Sequence, residues 1–433
     1  MEYYIDMNFG NDENDGLSEA KPKKTPAFAF AKAGDKVYIK RGGIWHGAAE
    51  LKSGDENAPI EYATYGEGEK PVFSGAYDIS EASLWENCGG NIWRLRKKLP
   101  SEPCNIIFDG GSSCGNMCWE YDEMKNQDEW YDAGAGDASA GREYSGELYI
   151  YSVGNPAEHH KKTEAALYGA RWLARGTNVI LRDISFYGSG VHGFTGKPKN
   201  TALYSCEFRF IGGCVWKRER RIRFGNAVEF WDIAENCTIE NCLFYNIYDS
   251  CVTHQGGKDA VPAKNMRICG NLFSCYGMAA YEQRDKMPAG ADFCKNICIG
   301  AGEGFSTNGE KPPRNSEIYP MPMGHHIFLW RIEDKTANGA LNISGNIFAD
   351  APVGAAVFSL INDAVKSQLH IDGNAYDLSH MMLISHIFGK EYDASESEKY
   401  ISETGYDKSS AWYADVFAAV AEFEKRSGCR FLP

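Results

Sequence analysis

Three acidic residues stand in short apolar stretches near the middle of the chain, at Glu229, Asp249 and Glu282. Carboxylates that lie close together raise one another's pKa, so that one can hold a proton while another stays ionised. Cleavage of a glycosidic bond needs such a pair, with a general acid at the leaving oxygen and a base or nucleophile opposite it. We therefore predict these acids as catalytic residues. For each of them the alternative is a structural ion pair with Arg223 or Arg284.

A sequence repeat between about residues 168 and 380 would bring these acids together. An aromatic residue ends an alternating apolar and polar segment at each of Phe186, Phe208, Phe244, Phe273, Phe348 and Tyr376. Repeats of about 20 to 50 residues are typical of solenoids, and the alternation is that of strands. Stacked coils of short strands form a parallel β-helix, in which equivalent residues of neighbouring coils lie about 5 Å apart. We expect the three acids on successive coils.

An asparagine near each turn of the repeat is predicted to have a structural role. Stacked side-chain amides can hydrogen-bond to one another along a solenoid. The residues concerned are Asn241, Asn271, Asn346 and Asn374.

The stretches around the acids also supply candidate substrate-binding residues. His254 and Gln255 would hydrogen-bond sugar hydroxyls, and Trp231 and Tyr281 would stack on a pyranose ring, unless these side chains are buried in the core. The full predicted set is Arg223, Asn226, Trp231, His254, Gln255, Tyr281, Arg284 and His326. The pair His325-His326 is weak evidence for a metal, and no two CxxC pairs have zinc-like spacing, so no metal and no cofactor are predicted.

Composition narrows the possible partners and surroundings. The net charge of −14 argues against nucleic acid and anionic membranes as partners, and no apolar run is long enough to span a bilayer. The first residues show no signal sequence, so we expect a cytoplasmic location, or an external one if a leader is removed. Several of the 14 cysteines are expected to be small buried apolar residues with free thiols, namely Cys206, Cys242, Cys251, Cys269, Cys275 and Cys298. The oligomeric state stays open.

Four regions are predicted along the chain. Residues 1–103 would form an N-terminal cap with the first coils, 104–167 a β-rich insertion, 168–390 the main β-helix and 391–433 a C-terminal helical cap, with its helix at 409–426. The aromatic residues of the insertion would line a sugar subsite or fill its own core. An acidic turn near Asp12 would bind calcium or, alternatively, cap backbone groups. Lengthened loops at 216–225 and 302–326 mark the functional face of the solenoid.

Several motifs resemble those of a known family. The N-terminal Gly-Asn-Asp-x-Asn-Asp-Gly-Leu-Ser and Gly-Asp-x-Val-x-Ile-Lys-Arg-Gly passages, followed by Arg-x-Gly-Asn-x-x-Glu-Phe-Trp and Asp-x-x-Val-Thr-x-Gln-Gly, are similar to those of secreted carbohydrate-active enzymes. These belong to the pectate-lyase-like superfamily, including its glycoside hydrolase members. The resemblance covers most of residues 1–380. It implies an all-β, right-handed parallel β-helix with an N-terminal helical cap, and we add a β-rich insertion and a C-terminal helix.

Three functions remain open at this point. The three acids favour a glycoside hydrolase acting on a glycan. The run of arginines at 218–223 favours a polysaccharide lyase, because arginine neutralises the C5 carboxylate of a uronic acid before proton abstraction. A non-catalytic glycan-binding β-helix would have the three acids scattered over different faces.

Overall fold

The computed structural model describes residues 1–169, 172–174, 177–257, 261–307, 323–330, 332, 335–359 and 363–431. Part of the predicted functional face, including Pro312, Arg314 and Pro320, lies outside these residues.

Short strands make up the N-terminal coils. They are β1 (Glu2–Ile5), β2 (Lys36–Lys40), β3 (Ile44–His46), β4 (Ala49–Glu50), β5 (Ile60–Tyr65) and β6 (Val72–Ser74). The helix expected near residues 25–33 is a single 3₁₀ turn, Phe28–Phe30, whose Phe28 ring packs edge-on against Tyr62.

Strands that pair antiparallel, apart from the parallel pair β12 and β13, follow. They are β7 (Ala76–Asp78), β8 (Trp85–Gly89), β9 (Ile92–Leu95), β10 (Pro103–Phe108), β11 (Ser113–Cys114), β12 (Asn116–Met117), β13 (Glu129–Asp132), β14 (Leu148–Tyr151) and β15 (Thr163–Leu167), with 3₁₀ turns at Ala82–Leu84 and Tyr121–Glu123 and the short helix α1 (Pro156–His159). They form a four-stranded and a five-stranded sheet. The insertion therefore begins near residue 76, earlier than the boundary at 104 expected from the sequence. Trp119 and Trp130 are buried in its own core.

The main solenoid contains the remaining strands. They are β16 (Trp172–Ala174), β17 (Val179–Arg182), β18 (Ser185–Tyr187), β19 (Phe194–Gly196), β20 (Lys199–Tyr204), β21 (Glu207–Ile211), β22 (Cys214–Lys217), β23 (Ile222–Phe224), β24 (Val228–Trp231), β25 (Glu235–Glu240), β26 (Leu243–Ile247), β27 (Ser250–Gln255), β28 (Lys264–Cys269), β29 (Leu272–Tyr276), β30 (Ala279–Arg284), β31 (Ala289–Cys294), β32 (Ile297–Ala301), β33 (His325–Trp330), β34 (Ala340–Ser344), β35 (Ile347–Ser359), β36 (Leu369–Asp372), β37 (Ala375–Ile387) and β38 (Lys390–Asp393). Two 3₁₀ turns, Arg218–Arg220 and Asp363–Gln368, interrupt them, and α2 (Ser397–Thr404) and α3 (Val416–Ser427) follow.

Three ladders of parallel strands wrap around one core, which makes the fold a parallel β-helix, as predicted. Sheet 1 runs β1-β2-β5-β17-β20-β25-β28-β31-β34-β36. Sheet 2 runs β3-β6-β18-β21-β26-β29-β32-β35-β37, and sheet 3 runs β4-β16-β19-β24-β27-β30-β33-β35-β37, with β38 added antiparallel at its end. The long strands β35 and β37 bend from sheet 2 into sheet 3.

The aromatic residues of the repeat form a stack inside sheet 2. The rings of Phe186, Phe208, Phe244 and Phe273 lie 4.7, 5.0 and 4.8 Å apart in succession. Each ring is fully buried. Because one residue per coil points inward at each equivalent position, the repeat in the sequence becomes a continuous apolar core.

An amide ladder lies at the next turn, but it includes Asn296, which was not predicted, and excludes Asn241, which was. The side-chain oxygens of Asn271, Asn296, Asn346 and Asn374 each accept a hydrogen bond from the backbone of the preceding coil, at 2.9–3.0 Å. At the coil of Asn241 the inward position belongs to its neighbour Cys242. Asn241 itself has a left-handed backbone conformation, with φ 56°. Gly270 has the same conformation at the equivalent position of the next coil.

The C-terminal region packs on the solenoid at two separate places. Tyr400 of α2 is buried in the solenoid core, and Trp412 stacks on Tyr376 at 4.9 Å, so this segment covers the last coil. Helix α3, which begins at Val416 rather than 409 because Asp415 is its N-cap, packs on the outer face of sheet 2. There Phe423 joins the cluster of Leu243, Leu272 and Ile297. The predicted C-terminal helix is therefore present, but it covers a side of the solenoid rather than its end.

One pair of cysteines departs from the expectation of free thiols. Cys269 and Cys294 occupy paired positions on β28 and β31 and form a disulfide with a Cα–Cα distance of 4.6 Å. The other twelve cysteines are free. None of the helices in the described part of the chain has the length and apolar character that crossing a membrane requires.

Candidate active site

Two of the predicted acids lie in one column on the outer face of sheet 3. Glu229 on β24 pairs with Thr253 on β27, and Thr253 pairs with Glu282 on β30. Neighbouring strands lie about 4.8 Å apart, so the Cα atoms of Glu229 and Glu282 are about 10 Å apart. Because side chains alternate between faces, Trp231, Gln255 and Arg284 form a second column beside the first.

Glu229 is held as a carboxylate. Its Oε1 accepts a hydrogen bond from Gln255 at 2.6 Å, and its Oε2 contacts Nε2 of His192. Burial alone would raise the pKa of this carboxyl, but attraction to His192, with help from Arg284 and Gln255, lowers it. Glu229 keeps 7% of its surface exposed, so it is an ionised group that a ligand can reach.

His192 is oriented by the backbone of the next coil. Its Nδ1 lies 3.1 Å from the amide nitrogen and 3.3 Å from the carbonyl oxygen of Asn226. Because a carboxylate oxygen only accepts, Nε2 is the donor in the contact with Glu229. Asn226, one of the predicted binding residues, also accepts a hydrogen bond from the amide of Ser250 at 3.1 Å. Asn226 is thus part of the frame that positions His192 and the following strand.

Glu282 lies deeper than Glu229. Its carboxylate accepts a hydrogen bond from Ser250 Oγ at 2.8 Å and pairs with the Nε of Arg284. Its side chain is completely buried, whereas 31% of the Arg284 side chain is exposed. Through this contact Glu282 fixes the guanidinium at the surface of the site.

Arg284 stands at the electrostatic centre of the three acids. Burial opposes its charged form, but attraction to Glu282, and also to Asp249 and Glu229, outweighs burial and raises its pKa. Its guanidinium lies 5.5 Å from the ring of Trp330 on the neighbouring strand β33. Three carboxylates therefore share the field of one cation, and the site is anionic.

Asp249 does not occupy the position expected from its spacing. The residue equivalent to Glu229 on the next coil is Thr253, and Asp249 precedes β27 at the turn. There its Oδ2 accepts a hydrogen bond from the amide of Gly225 at 3.0 Å. The length of this coil is 24 residues rather than the 20 that the sequence suggested, because the paired positions are Glu229 and Thr253.

Thr253 is a site residue that the sequence did not reveal. It lies between Glu229 and Glu282 in their column, and its buried Oγ1 has no hydrogen-bond partner. A buried hydroxyl without a partner is costly, and this one is placed between two carboxylates. His192 and Ser250 were missed as well. The signal that would have found His192 is its place just before Phe194-Thr195, one coil before Glu229.

Three predicted binding residues point into the solenoid instead of outward. His254 is buried, with its Nδ1 next to the amide of Gln283 at 2.9 Å, and burial lowers its pKa. Tyr281 donates to Gln283 at 2.9 Å within the core. His326 is fully buried beside Tyr276, and burial lowers its pKa to about 3. The strand period of two puts His254 and Tyr281 on the face opposite to Thr253 and Glu282. Their contact with substrate stays a prediction that this placement does not favour.

Arg223 and its neighbours hold the insertion. Arg223 donates to the carbonyl of Gly213 and to that of Cys104 in the insertion, both at 2.6 Å. Arg218 donates to the carbonyl of Asp132 at 3.0 Å, and Arg221 pairs with Glu123 at 3.5 Å. Three of the arginines that suggested an acidic sugar, at 218, 221 and 223, thus join the solenoid to the insertion. Trp231 is different, because 47% of its surface is exposed beside Glu229.

Two metal sites were considered from the sequence, one at His325-His326 and one for calcium near Asp12, and the described residues support neither of them. They contain no group of three His, Cys, Asp or Glu side chains that could hold a metal ion. At the N-terminal turn, Asp12 accepts hydrogen bonds from the amides of Lys24 and Thr25, and the Lys23 ammonium donates to the carbonyl of Asn14 at 2.6 Å. A lysine thus binds the carbonyls of this loop.

The fold and these residues together define a parallel β-helix with a carboxylate-lined outer face. Comparison with protein-family models and with curated proteins yields no match. Solved structures match in fold.

A GH136 lacto-N-biosidase from Eubacterium ramulus aligns with TM-score 0.49 and 12% identity over 87% of this chain and 60% of that chain, so this protein spans less than two thirds of its length. A glycoside hydrolase aligns with TM-score 0.48 and 10% identity, over 87% and 93% of the two chains. A pectate lyase aligns with TM-score 0.47 and 12% identity, over 91% and 73%.

Proposed function

We propose that the protein is a carbohydrate-active enzyme that hydrolyses a glycosidic bond on the outer face of sheet 3. The observation that carries the proposal is the pairing of an ionised, accessible Glu229 with further carboxylates around one guanidinium. A glycosidase needs one carboxylate that is ionised at the start of the reaction and one carboxyl that gives a proton to the leaving oxygen.

Glu229 is the base in this proposal. His192 and Gln255 hold it ionised and leave part of it exposed. Trp231, exposed next to Glu229, would supply the apolar platform for a pyranose ring.

The proton donor is either Asp249 or Glu282. Glu282 is fully buried and already bound to Arg284 and Ser250, whereas Asp249 keeps 7% of its surface exposed. Substrates with different leaving groups show which of the two residues is the proton donor. Loss of the general acid slows cleavage of natural glycosides but spares aryl glycosides whose phenolate leaves without protonation.

The charge of the site favours hydrolysis over the lyase reaction. Arg284 already faces three carboxylates, so a uronate substrate would meet more negative than positive charge. The arginines at 218, 221 and 223 are bound to the insertion or to its junction with the solenoid. A neutral sugar is not repelled by the carboxylates, and it needs no arginine to neutralise a carboxylate of its own.

The test is a screen of neutral and uronate-containing oligosaccharides with the wild-type protein and Glu229→Gln. We expect wild-type protein to release a new reducing end, with ¹⁸O from labelled water in the product, and Glu229→Gln to lose this activity. A product with near-ultraviolet absorbance would instead establish a lyase. Binding of sugar without any turnover would establish a glycan-binding protein and overturn the proposal.

A further inference from the structure

Glu102 joins the insertion to the solenoid and is completely buried. Its Oε1 accepts a hydrogen bond from the amide of Val215 in β22, and its Oε2 accepts one from the amide of Gly136 in the insertion, both at 3.0 Å. The side chain of Val215 packs in the core of the insertion. Glu102 thus uses both carboxylate oxygens to hold the hairpin β22–β23 against the insertion.

The two arms of this hairpin touch at its base. The amide of Gly213 donates to the carbonyl of Phe224 at 2.9 Å. A Cβ added to Gly212 would lie only 2.5 Å from the carbonyl oxygen of Gly225, so the two backbones are in direct contact. Because an interior packed this closely transmits a displacement, a shift of β22 moves β23 and Gly225 with it.

Gly225 and Asn226, the residues after β23, bind two residues of the candidate active site. The amide of Gly225 donates to Oδ2 of Asp249 at 3.0 Å, and the amide of Asp249 donates to the carbonyl of Gly225 at 3.1 Å. The amide nitrogen of Asn226 lies 3.1 Å from Nδ1 of His192, the partner of Glu229. A candidate proton donor and the partner of the base are therefore both held where the hairpin ends.

We propose that Glu102 is a positioning residue of this site, through which the insertion sets the placement of Asp249 and His192. Because Glu102 is completely buried, it acts through the hairpin and not on the sugar. This role rests on the function proposed for Glu229, since it gives the insertion a part in the same reaction. A misplacement of about 1 Å can cost an enzyme about 100-fold in rate, so a small shift of the hairpin is enough to matter.

Glu102→Gln breaks the link at one oxygen. The glutamine oxygen accepts from one amide, while the NH₂ group faces the other amide and cannot accept. Above the pKa of about 7 to which burial raises Glu102, the wild-type carboxylate accepts from both.

Kinetics on the substrate found by the screen measures the effect on the site. At about pH 8.5 we expect Glu102→Gln to lower kcat about tenfold with KM within about twofold, because the sugar contacts stay while Asp249 and His192 are displaced. An unchanged kcat, or a loss confined to KM, would overturn the proposal.

Hydrogen exchange without substrate separates failure of this role from failure of the proposed hydrolysis. In Glu102→Gln, peptides covering residues 224–229 should exchange about tenfold faster, because the amides of Gly225 and Asn226 lose their fixed partners. A merely local role would speed exchange only near Val215 and Gly136. Wild-type exchange at 224–229 would refute the positioning role whether or not the protein hydrolyses a glycan.

Asp132→Asn is the matched control. Asp132 is equally buried, but its side chain accepts hydrogen bonds within the insertion, from Tyr144 and Gly134. We expect wild-type kcat and wild-type exchange at 224–229 in this variant at the same pH. The changes seen in Glu102→Gln, if they appeared here as well, would mean that any damage to the insertion has this effect, and Glu102 would have no special role.

Val215→Ala loosens the same link without changing a charge, and it decides the question if Glu102→Gln does not fold. It removes part of the hairpin's apolar anchor in the core of the insertion. We expect exchange at 224–229 to become about threefold faster and kcat to fall by a similar factor. Wild-type values of both in the folded variant would contradict the proposal.

Discussion

Two groups of buried carboxylates in this protein differ in their partners. Glu229 on sheet 3 contacts His192 and accepts a hydrogen bond from Gln255. Glu102 and Asp132, where the insertion meets the solenoid, are bound mainly by neutral donors. Glu102 accepts from the amides of Val215 and Gly136, and Asp132 from Tyr144 and Gly134.

The pKa shifts of the two groups have opposite signs. Burial raises the pKa of Glu102 and that of Asp132 to about 7, whereas the partners of Glu229 overcome burial and lower its pKa. One oxygen of Asp132, Oδ2, has no hydrogen-bond partner. Burial of an acid therefore does not by itself mark a catalytic group. What distinguishes Glu229 is a partner that stabilises the charged form, in a residue that keeps 7% of its surface exposed.

The largest effect should come from removing the charge of Glu229. We expect Glu229→Gln to lower kcat/KM by about 100- to 10,000-fold, the usual range for a general base. Asp132→Asn removes a carboxylate of similar burial outside the site and should leave activity unchanged. Steady-state kinetics on the substrate found by the screen measures kcat/KM. Urea unfolding of both variants shows whether they are folded. Equal loss in the two variants would contradict the distinction drawn between the two groups.

The second largest effect should come from removing the guanidinium of Arg284, which lies among the three acids. Arg284→Met leaves Glu282 buried without its cation, which should lower the free energy of unfolding by about 3–5 kcal/mol. The double variant Arg284→Met with Glu282→Met removes both charges and should recover most of this loss. Urea unfolding of the two variants measures the difference. A double variant no more stable than the single one would show that the pair is not coupled.

Asp132 should make the free energy of unfolding depend on pH. This dependence has the opposite direction to that of a salt-bridged acid, because folding raises the pKa of Asp132 instead of lowering it. Its pKa is raised from 3.8 to about 7 in the folded protein, so the folded state binds the proton more tightly than the unfolded state. The stability associated with the protonated form is complete below pH 3.8 and is lost as the pH rises to about 7.

Asp132→Asn provides the measurement of this dependence. The amide oxygen can keep the bonds from Tyr144 and Gly134, and the amino group replaces the unpartnered oxygen. From pH 5 to pH 8, wild-type protein should lose about 2–3 kcal/mol relative to the variant, measured by urea unfolding at the two pH values. Parallel pH profiles of wild type and variant would show that Asp132 is ionised throughout.

The smallest effect concerns the partner of Glu229. His192→Phe removes the donor to Glu229, so burial should dominate and the acid limb of the kcat/KM profile should move to higher pH. The loss of one hydrogen bond to a charged group costs about 1.5–3 kcal/mol, which is less than the loss in Glu229→Gln. His192→Gln, which can still donate, should restore part of the activity and move the limb back. An acid limb at the same pH in all three proteins would assign it to another group.

Much of the fold was predictable because it depends on a repeat. The period of the aromatic residues predicts the stack from Phe186 to Phe273, and alternation predicts strands. The exact register was not predictable, since loops of unequal length separate the strands. Asn241 was expected in the amide ladder that Cys242 actually enters, and Asp249 was expected where Thr253 lies.

The sequence by itself determined that Glu229 and Glu282 lie on strands of one solenoid, because their stretches have the strand pattern and the chain around them repeats. Only the tertiary structure decided which residues face them. A shift of one residue moves a side chain from the outer face to the core, which is why His254 and Tyr281 are inside while Gln255 and Arg284 are outside. His192, from another coil, meets Glu229 only through strand pairing, a contact between residues 37 positions apart in sequence.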